Sequence, residues 1–227
     1  MDTRPWTLSK PGPLTKRADG LYTVDDVLPG SRPIHRRMTV LVHDGGVVFF
    51  NAIPVPDETL KELAALGTPR ALVIPNQYHS LDAVPFSQKL GVTPYGTAAT
   101  IEALKDRVKL EPIAHAPLGD AKLITVTGFK TQEANLVAKK SLIAADLVTN
   151  VEHQPGFGGF IMRLIGFTGP EPKLPRPVRA RVQRDAAAVK SLMTELSALN
   201  LERIIPSHGR VFEGDVGAAL RRIADSL

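Results

Sequence analysis

Ala71-Leu72-Val73-Ile74-Pro75 runs straight into Asn76-Gln77-Tyr78-His79-Ser80-Leu81-Asp82. The first five residues are apolar and read as a buried strand; the next seven are mostly polar and read as the loop that leaves it. A helical pattern, DETLKELAAL at 57–66, stands just before. A helix followed by a buried strand marks an α/β layer, in which functional groups gather past a strand's C-terminal end. His79 therefore sits where such a fold builds sites.

Working outward, residues 1–20 are polar and Pro-rich and read as an arm leading into a strand at GLYTVDDVL. MTVLVH (38–43) and GVVFFNAI (46–53) flank Asp44-Gly45, the pattern of a β-hairpin. Pro56 and Asp57 open the helix, Gly67 closes it, and Leu60, Leu63 and Ala64 form its apolar stripe. Residues 84–113 read as helix, short strand, helix, short strand, with Thr97 or Thr100 starting the second helix. A second β region follows at 122–128, 135–139 and 141–148, with Lys139 and Lys140 at a turn. Residues 151–181 are rich in Gly, Pro and apolar residues and show no clean period. They read as a long excursion with one helical turn. Residues 184–199 form an amphipathic helix with Val189, Leu192, Met193, Leu196 and Leu199 on one face. A strand at 203–206 ends at Ser207-His208-Gly209, and a last helix covers about 215–226. No repeat or linker divides the chain, so a single domain over 1–227 is expected.

Composition is that of an ordinary globular chain: 227 residues, 43% hydrophobic and 22% charged, a length that suits one large α/β domain or two small ones. There is no cysteine, which excludes disulfides, thiolate metal sites and thiol nucleophiles. The N-terminal residues lack the apolar centre of a signal peptide, and no stretch approaches the ~20 apolar residues of a membrane span. A cytoplasmic protein with no transmembrane segment is expected. The net charge of +5 is spread along the chain without an aromatic–basic module. The expected partner is a small-molecule substrate or ligand, not nucleic acid.

Three strands each deliver a ligand-type residue at their C-terminal end: His79 after 71–75, Asp146 within SLIAADLV, and His208 after 203–206. Imidazole and carboxylate suit zinc, iron or manganese, and Asp82 and Glu133 are candidates to complete the set. The competing reading is that these side chains cap helices or bond to carbonyls and hold no metal. Other chemistries lack their motifs. There is no Gly-x-Ser-x-Gly elbow and no phosphate-cradling loop ending in Lys-Ser or Lys-Thr. Among the other histidines, His35 lies in a basic run, IHRR, read as a solvated face. His43 is read as structural or exposed. His115 is a second-tier ligand candidate, and His153 opens the 151–181 excursion.

The order of these segments resembles the metallo-β-lactamase superfamily from about residue 20 onward. Typical members carry Thr-His-x-His-x-Asp-His in the first loop. Here Gln77 stands for the first His, His79 for the second, Leu81 for the Asp and Asp82 for the last His. Ala145-Asp146 resembles the Gly-Asp that supplies a bridging carboxylate, and Pro206-Ser207-His208-Gly209 resembles the Pro-Gly-His-Gly that supplies the last His. Thr131-Gln132-Glu133 lies where an intermediate His is usual. More narrowly, Pro75-Asn76-Gln77-Tyr78-His79 with Glu133, Asp146-Leu147-Val148-Thr149-Asn150 and Ser207-His208-Gly209 resembles a branch of the superfamily described as a domain of unknown function.

The resemblance implies a four-layer αββα sandwich. It also implies one divalent metal at most, since Leu81 cannot ligate and the His set is depleted. Two functions follow. One is a single-metal hydrolase of an ester, thioester, lactone or phosphoester, with ligands drawn from His79, Asp82, Glu133, Asp146 and His208. The other is a non-catalytic relative that uses the fold as a small-molecule or protein-binding module. The apolar residues of 151–181, Phe157 to Phe167, are expected to serve as a lid or as a homodimer contact.

Overall fold

A computed structural model describes residues 5–28 and 34–227; the first four residues of the N-terminal arm lie outside them. The chain forms two compact units, residues 1–123 and 124–227.

The first unit carries a seven-stranded sheet whose spatial order follows the chain: β1 (Thr15–Ala18), β2 (Leu21–Val27), β3 (His35–His43), β4 (Gly46–Phe50), β5 (Thr68–Val73), β6 (Pro94–Gly96) and β7 (Glu111–Pro112). Strands β1 to β4 pair antiparallel. The turn between β3 and β4 is the two-residue Asp44-Gly45, since His43 faces Gly46. Both turn residues have positive φ, 45° and 67°, as a type I′ hairpin requires.

From β4 onward the pairing is parallel. Parallel neighbours need a crossover, and α1 (Asp57–Leu66), α2 (Ala83–Leu90) and α3 (Ala98–Leu104) supply them. Thr97 starts α3 by accepting from the Thr100 amide. These helices bury Leu63, Phe86 and Leu104 with Val40, Phe49 and Leu72 of the sheet in one core. Phe86 meets Phe49 edge-on at 5.1 Å between ring centres. Leu63 is the buried member of the α1 stripe, with Leu60 beside it; Ala64 is exposed, contrary to the periodicity reading.

The IHRR run departs further from expectation. Arg36 and Arg37 are buried, because β3 places them opposite Asp26 and Asp25 of β2. Arg36 pairs with Asp26 at 2.6 Å and Arg37 with Asp25 at 2.6 Å. Opposite charges facing each other across strands replace the solvated face.

The second unit carries β8 (Lys122–Thr125), which begins at the boundary, then β9 (Ala134–Ala138), β10 (Ser141–Ala144), β11 (Arg203–Pro206) and β12 (Phe212–Glu213). Their spatial order is β12-β11-β10-β9-β8. Strands β9 and β10 join through Lys139-Lys140, both in the left-handed region with φ of 48° and 52°. Strands β10 and β11 run parallel, Ala144 beside Pro206. The apolar run SLIAADLV is thus strand only to Ala144, and Asp146 lies just beyond it.

The connection from β10 to β11 holds α4 (Gly156–Leu164), α5 (Arg176–Val182) and α6 (Ala186–Ser197), and α7 (Val216–Asp225) closes the chain. Residues 151–181 therefore contain one helix and most of a second, where the sequence suggested a single turn. Pro155 and Pro175 stand at the two helix starts, where a missing N–H costs nothing. Val189, Met193 and Leu196 of α6 join Leu142, Ile204 and Leu220 in the second core, with Leu192 at its edge; Leu199 is exposed. No helix among the described residues is long and apolar enough to cross a membrane.

Candidate metal centre

In the second unit, parallel register decides the geometry. Because Ala144 lies beside Pro206, the chain leaves β10 and β11 at the same end of the sheet. The two exit loops are laced together. The Ser207 amide donates to the Ala144 carbonyl at 2.7 Å, Asn150 N–H to the His208 carbonyl at 3.1 Å, and Arg210 N–H to the Asn150 carbonyl at 2.9 Å. The Asn150 side-chain amide also donates to the Arg210 carbonyl at 3.1 Å.

Gly209 makes this approach possible. Its φ is +91°, and a Cβ there would stand 2.1 Å from the Asn150 carbonyl oxygen. Any side chain would push the loops apart. The result is that His208 Nε2 lies 3.7 Å from Asp146 Oδ1, with both side chains about six-sevenths buried, 16% and 14% exposed.

Asp146 is braced from β9 and the residue before it. Glu133 is fully buried, and its carboxylate accepts the amides of Asp146 at 3.0 Å and Leu147 at 2.9 Å. Asn135 Oδ1 accepts the Ala145 amide at 2.9 Å. Three consecutive backbone donors are therefore held by two side chains from one neighbouring segment. Glu133, considered above as a ligand, has its oxygens turned toward backbone N–H groups. Asn135 escaped the sequence reading, and Asn150 entered it only as part of the resemblance, with no role. Their only signal there is a polar amide inside otherwise apolar strands and exits.

In the first unit, His79 ends a short 3₁₀ turn, Gln77–His79. Asn76 is buried and sets that turn: its Oδ1 accepts the Tyr78 amide at 2.9 Å, and its carbonyl accepts the His79 amide at 3.1 Å. This is the Asx turn expected of an Asn at a strand exit. Ser80 Oγ donates to the Gln77 carbonyl at 3.1 Å. Asp82, the other ligand candidate of this loop, is fully buried and paired with Arg36, which also holds Asp26. A guanidinium bonded to the carboxylate competes with any metal for it.

The remaining histidines are accounted for locally. His35 contacts Asp25 at 3.4 Å, and His43 contacts Asp44 at 3.0 Å and Asp120 at 3.4 Å. His115 is exposed, and His153 Nδ1 shares a 2.8 Å hydrogen bond with Thr168 Oγ1.

Comparison of this architecture with solved structures returns metallo-β-lactamases. A metallo-β-lactamase from Erythrobacter litoralis matches with a TM-score of 0.64 at 11% identity, covering 94% of this chain and 96% of that one. VMB-1 matches with a TM-score of 0.64 at 15% identity over 97% and 99%. FIM-1 from Pseudomonas aeruginosa, in its mono-zinc form, matches with a TM-score of 0.65 at 10% identity over 97% and 98%. No family model and no curated relative matches the sequence. The chain has the metallo-β-lactamase fold, as its segment order led one to expect. At these identities the likeness carries the fold and not the activity.

Proposed function

We propose that this protein holds one divalent metal at His79, Asp146 and His208 and hydrolyses an ester, thioester, lactone or phosphoester there. The observation that carries the reading is that the parallel exits of β10 and β11 bring His208 Nε2 to 3.7 Å from Asp146 Oδ1; His79, at the strand exit of the first unit, is the third ligand the reading adds. Two imidazole nitrogens and one carboxylate oxygen are a donor set suited to a catalytic zinc, which takes three protein ligands and leaves a position open. Iron and manganese accept the same donors. When bound, such an ion supplies Lewis-acid activation of water and of the scissile carbonyl or phosphoryl group.

The chain's own residues supply position. Glu133 and Asn135 fix the backbone on either side of Asp146, and Gly209 lets the His208 loop close against Asn150. Asn76 sets the turn that carries His79. Supporting groups of this kind tune metal affinity as strongly as a weak ligand does. Asp82 and Glu133 serve as structure in this reading, not as ligands. A mono-zinc form is on record for the FIM-1 neighbour, in keeping with one ion here.

The test is metal loading together with turnover. Protein purified without chelator and titrated with zinc, iron or manganese is expected to take up about one ion per chain. It is then expected to hydrolyse at least one member of a panel of nitrophenyl esters, thioesters, lactones and phosphodiesters. His79→Ala and His208→Ala are expected to lose both properties while staying folded. Absence of uptake for all three metals overturns the proposal and favours the non-catalytic binding module.

A further inference from the structure

Helix α4 carries its apolar stripe on the wrong side for a core. Phe157, Phe160, Ile161, Leu164 and Ile165 fall at the i, i+3, i+4, i+7, i+8 spacing that normally faces inward. Here they are exposed, Phe157 at 81%, Leu164 at 65% and Phe160 at 59%. The helix instead turns Gly159 inward, where a Cβ would stand 1.8 Å from the Gln154 carbonyl oxygen. The inner face is thus small and the outer face greasy.

A second observation adjoins it. A cavity of about 390 Å³ opens at the end of α4, lined by Arg163, Gly166, Lys173, Arg176, Arg179 and Arg222 among others. Arg179 is engaged by the carbonyls of Ser226 and Leu227, and Arg222 by Glu171 at 2.9 Å. Arg163 and Arg176 have no acidic partner among the described residues, and Lys173 bonds to the neutral Thr168 carbonyl. Nearby Glu152 is taken by Arg210 at 2.8 Å. Residues 151–184 hold six Lys and Arg against two Glu, which is +4 of the chain's net +5.

We infer that this face docks on an anionic phospholipid bilayer. The α4 side chains enter the headgroup–acyl boundary, and Arg163, Lys173 and Arg176 receive lipid phosphates. An exposed apolar helix face flanked by cations is the physical pattern of an interfacial helix, and unpaired cations gain most against a negatively charged leaflet. A second copy of this chain is the poorer occupant. A two-fold contact places the same patch on both sides, so the cations of one protomer would meet those of the other.

Co-sedimentation with vesicles tests it. Vesicles of phosphatidylcholine and phosphatidylglycerol are expected to pellet the protein, and pure phosphatidylcholine vesicles are expected to leave it in solution. Salt at about 0.5 M is expected to release it, because screening shortens to a few ångströms. The Phe157→Ser/Phe160→Ser and Arg163→Glu/Arg176→Glu pairs are each expected to weaken binding at least about tenfold, or about 1.4 kcal/mol, with unchanged thermal melts. Millimolar inorganic phosphate is expected not to displace the protein, since it lacks the acyl region that α4 enters. Equal binding to both vesicle types overturns the inference, as do no binding to either, a phenylalanine pair that binds like the wild type, or displacement by phosphate. A dimer that the phenylalanine pair converts to monomer assigns the face to a second copy and overturns it as well.

Discussion

Glu133→Gln isolates the brace behind Asp146. In the native protein one buried carboxylate accepts two consecutive amides, at 3.0 and 2.9 Å. Glutamine keeps one acceptor oxygen and turns an N–H₂ toward the other amide. One buried N–H then loses its acceptor, at a cost of about 1–3 kcal/mol, and the surviving bond drops from charged to neutral strength. Removing a buried charge recovers part of its desolvation cost. The net expected loss is about 1–3 kcal/mol, or about 2–12 °C in Tm for a chain of this size. The local consequence matters more. With one strut gone, Asp146 drifts relative to His208, and zinc affinity is expected to fall about 10–100-fold. Calorimetric zinc titration of wild type and variant reads the affinity, and thermal melts of the apo proteins read the stability. If the variant loses stability but binds zinc within about threefold of wild type, the link from brace to ligand is wrong.

Three other substitutions probe separate parts of the account. Gly209→Ala forces a side chain into the left-handed region and against the Asn150 carbonyl, so a loss of at least about 1–3 kcal/mol is expected in denaturant unfolding, with reduced metal affinity. Asp82→Asn weakens one of the two carboxylate contacts of buried Arg36, which keeps Asp26, and is expected to cost about 1–3 kcal/mol by the same assay. Yet it should leave metal stoichiometry unchanged, since Asp82 pairs with a guanidinium. Asp25→Asn reports on pH. Burial pushes the Asp25 carboxyl up, but hydrogen bonds from His35 and Arg37 and their charges outweigh it, holding it at about 2 instead of 3.8. A carboxyl depressed in the folded state stabilises above its unfolded value and loses that contribution as pH falls through its folded value. The stability gap between wild type and this variant is therefore expected to hold above about pH 4 and to shrink toward about pH 2.

Much of the fold was written in local pattern. Asp44-Gly45 announces its hairpin because few residues accept two left-handed positions, and the 184–199 stripe announces α6 through its period. Helix α4 has an equally regular period but sits among glycines and prolines, and its stripe faces out, so composition argued against what spacing supported. The burial of Arg36 and Arg37 is a matter of cross-strand register, which pairs them with Asp26 and Asp25 only once β2 and β3 align. The candidate site divides the same way. His79, Asp146 and His208 stand out because each follows an apolar strand. The duties of Asp82 and Glu133 depend on which buried donors they meet, Arg36 in one case and two backbone amides in the other. No spacing in the sequence distinguishes a carboxylate that faces a metal from one that faces an N–H.

The most direct test of the proposed centre is the metal content of wild type and His208→Ala after equilibration with zinc and removal of free ion, measured by plasma mass spectrometry on folded protein. About one zinc per chain in the wild type and almost none in the variant is the predicted result. Equal loading of the two proteins, or less than about a tenth of an ion in both, would contradict it.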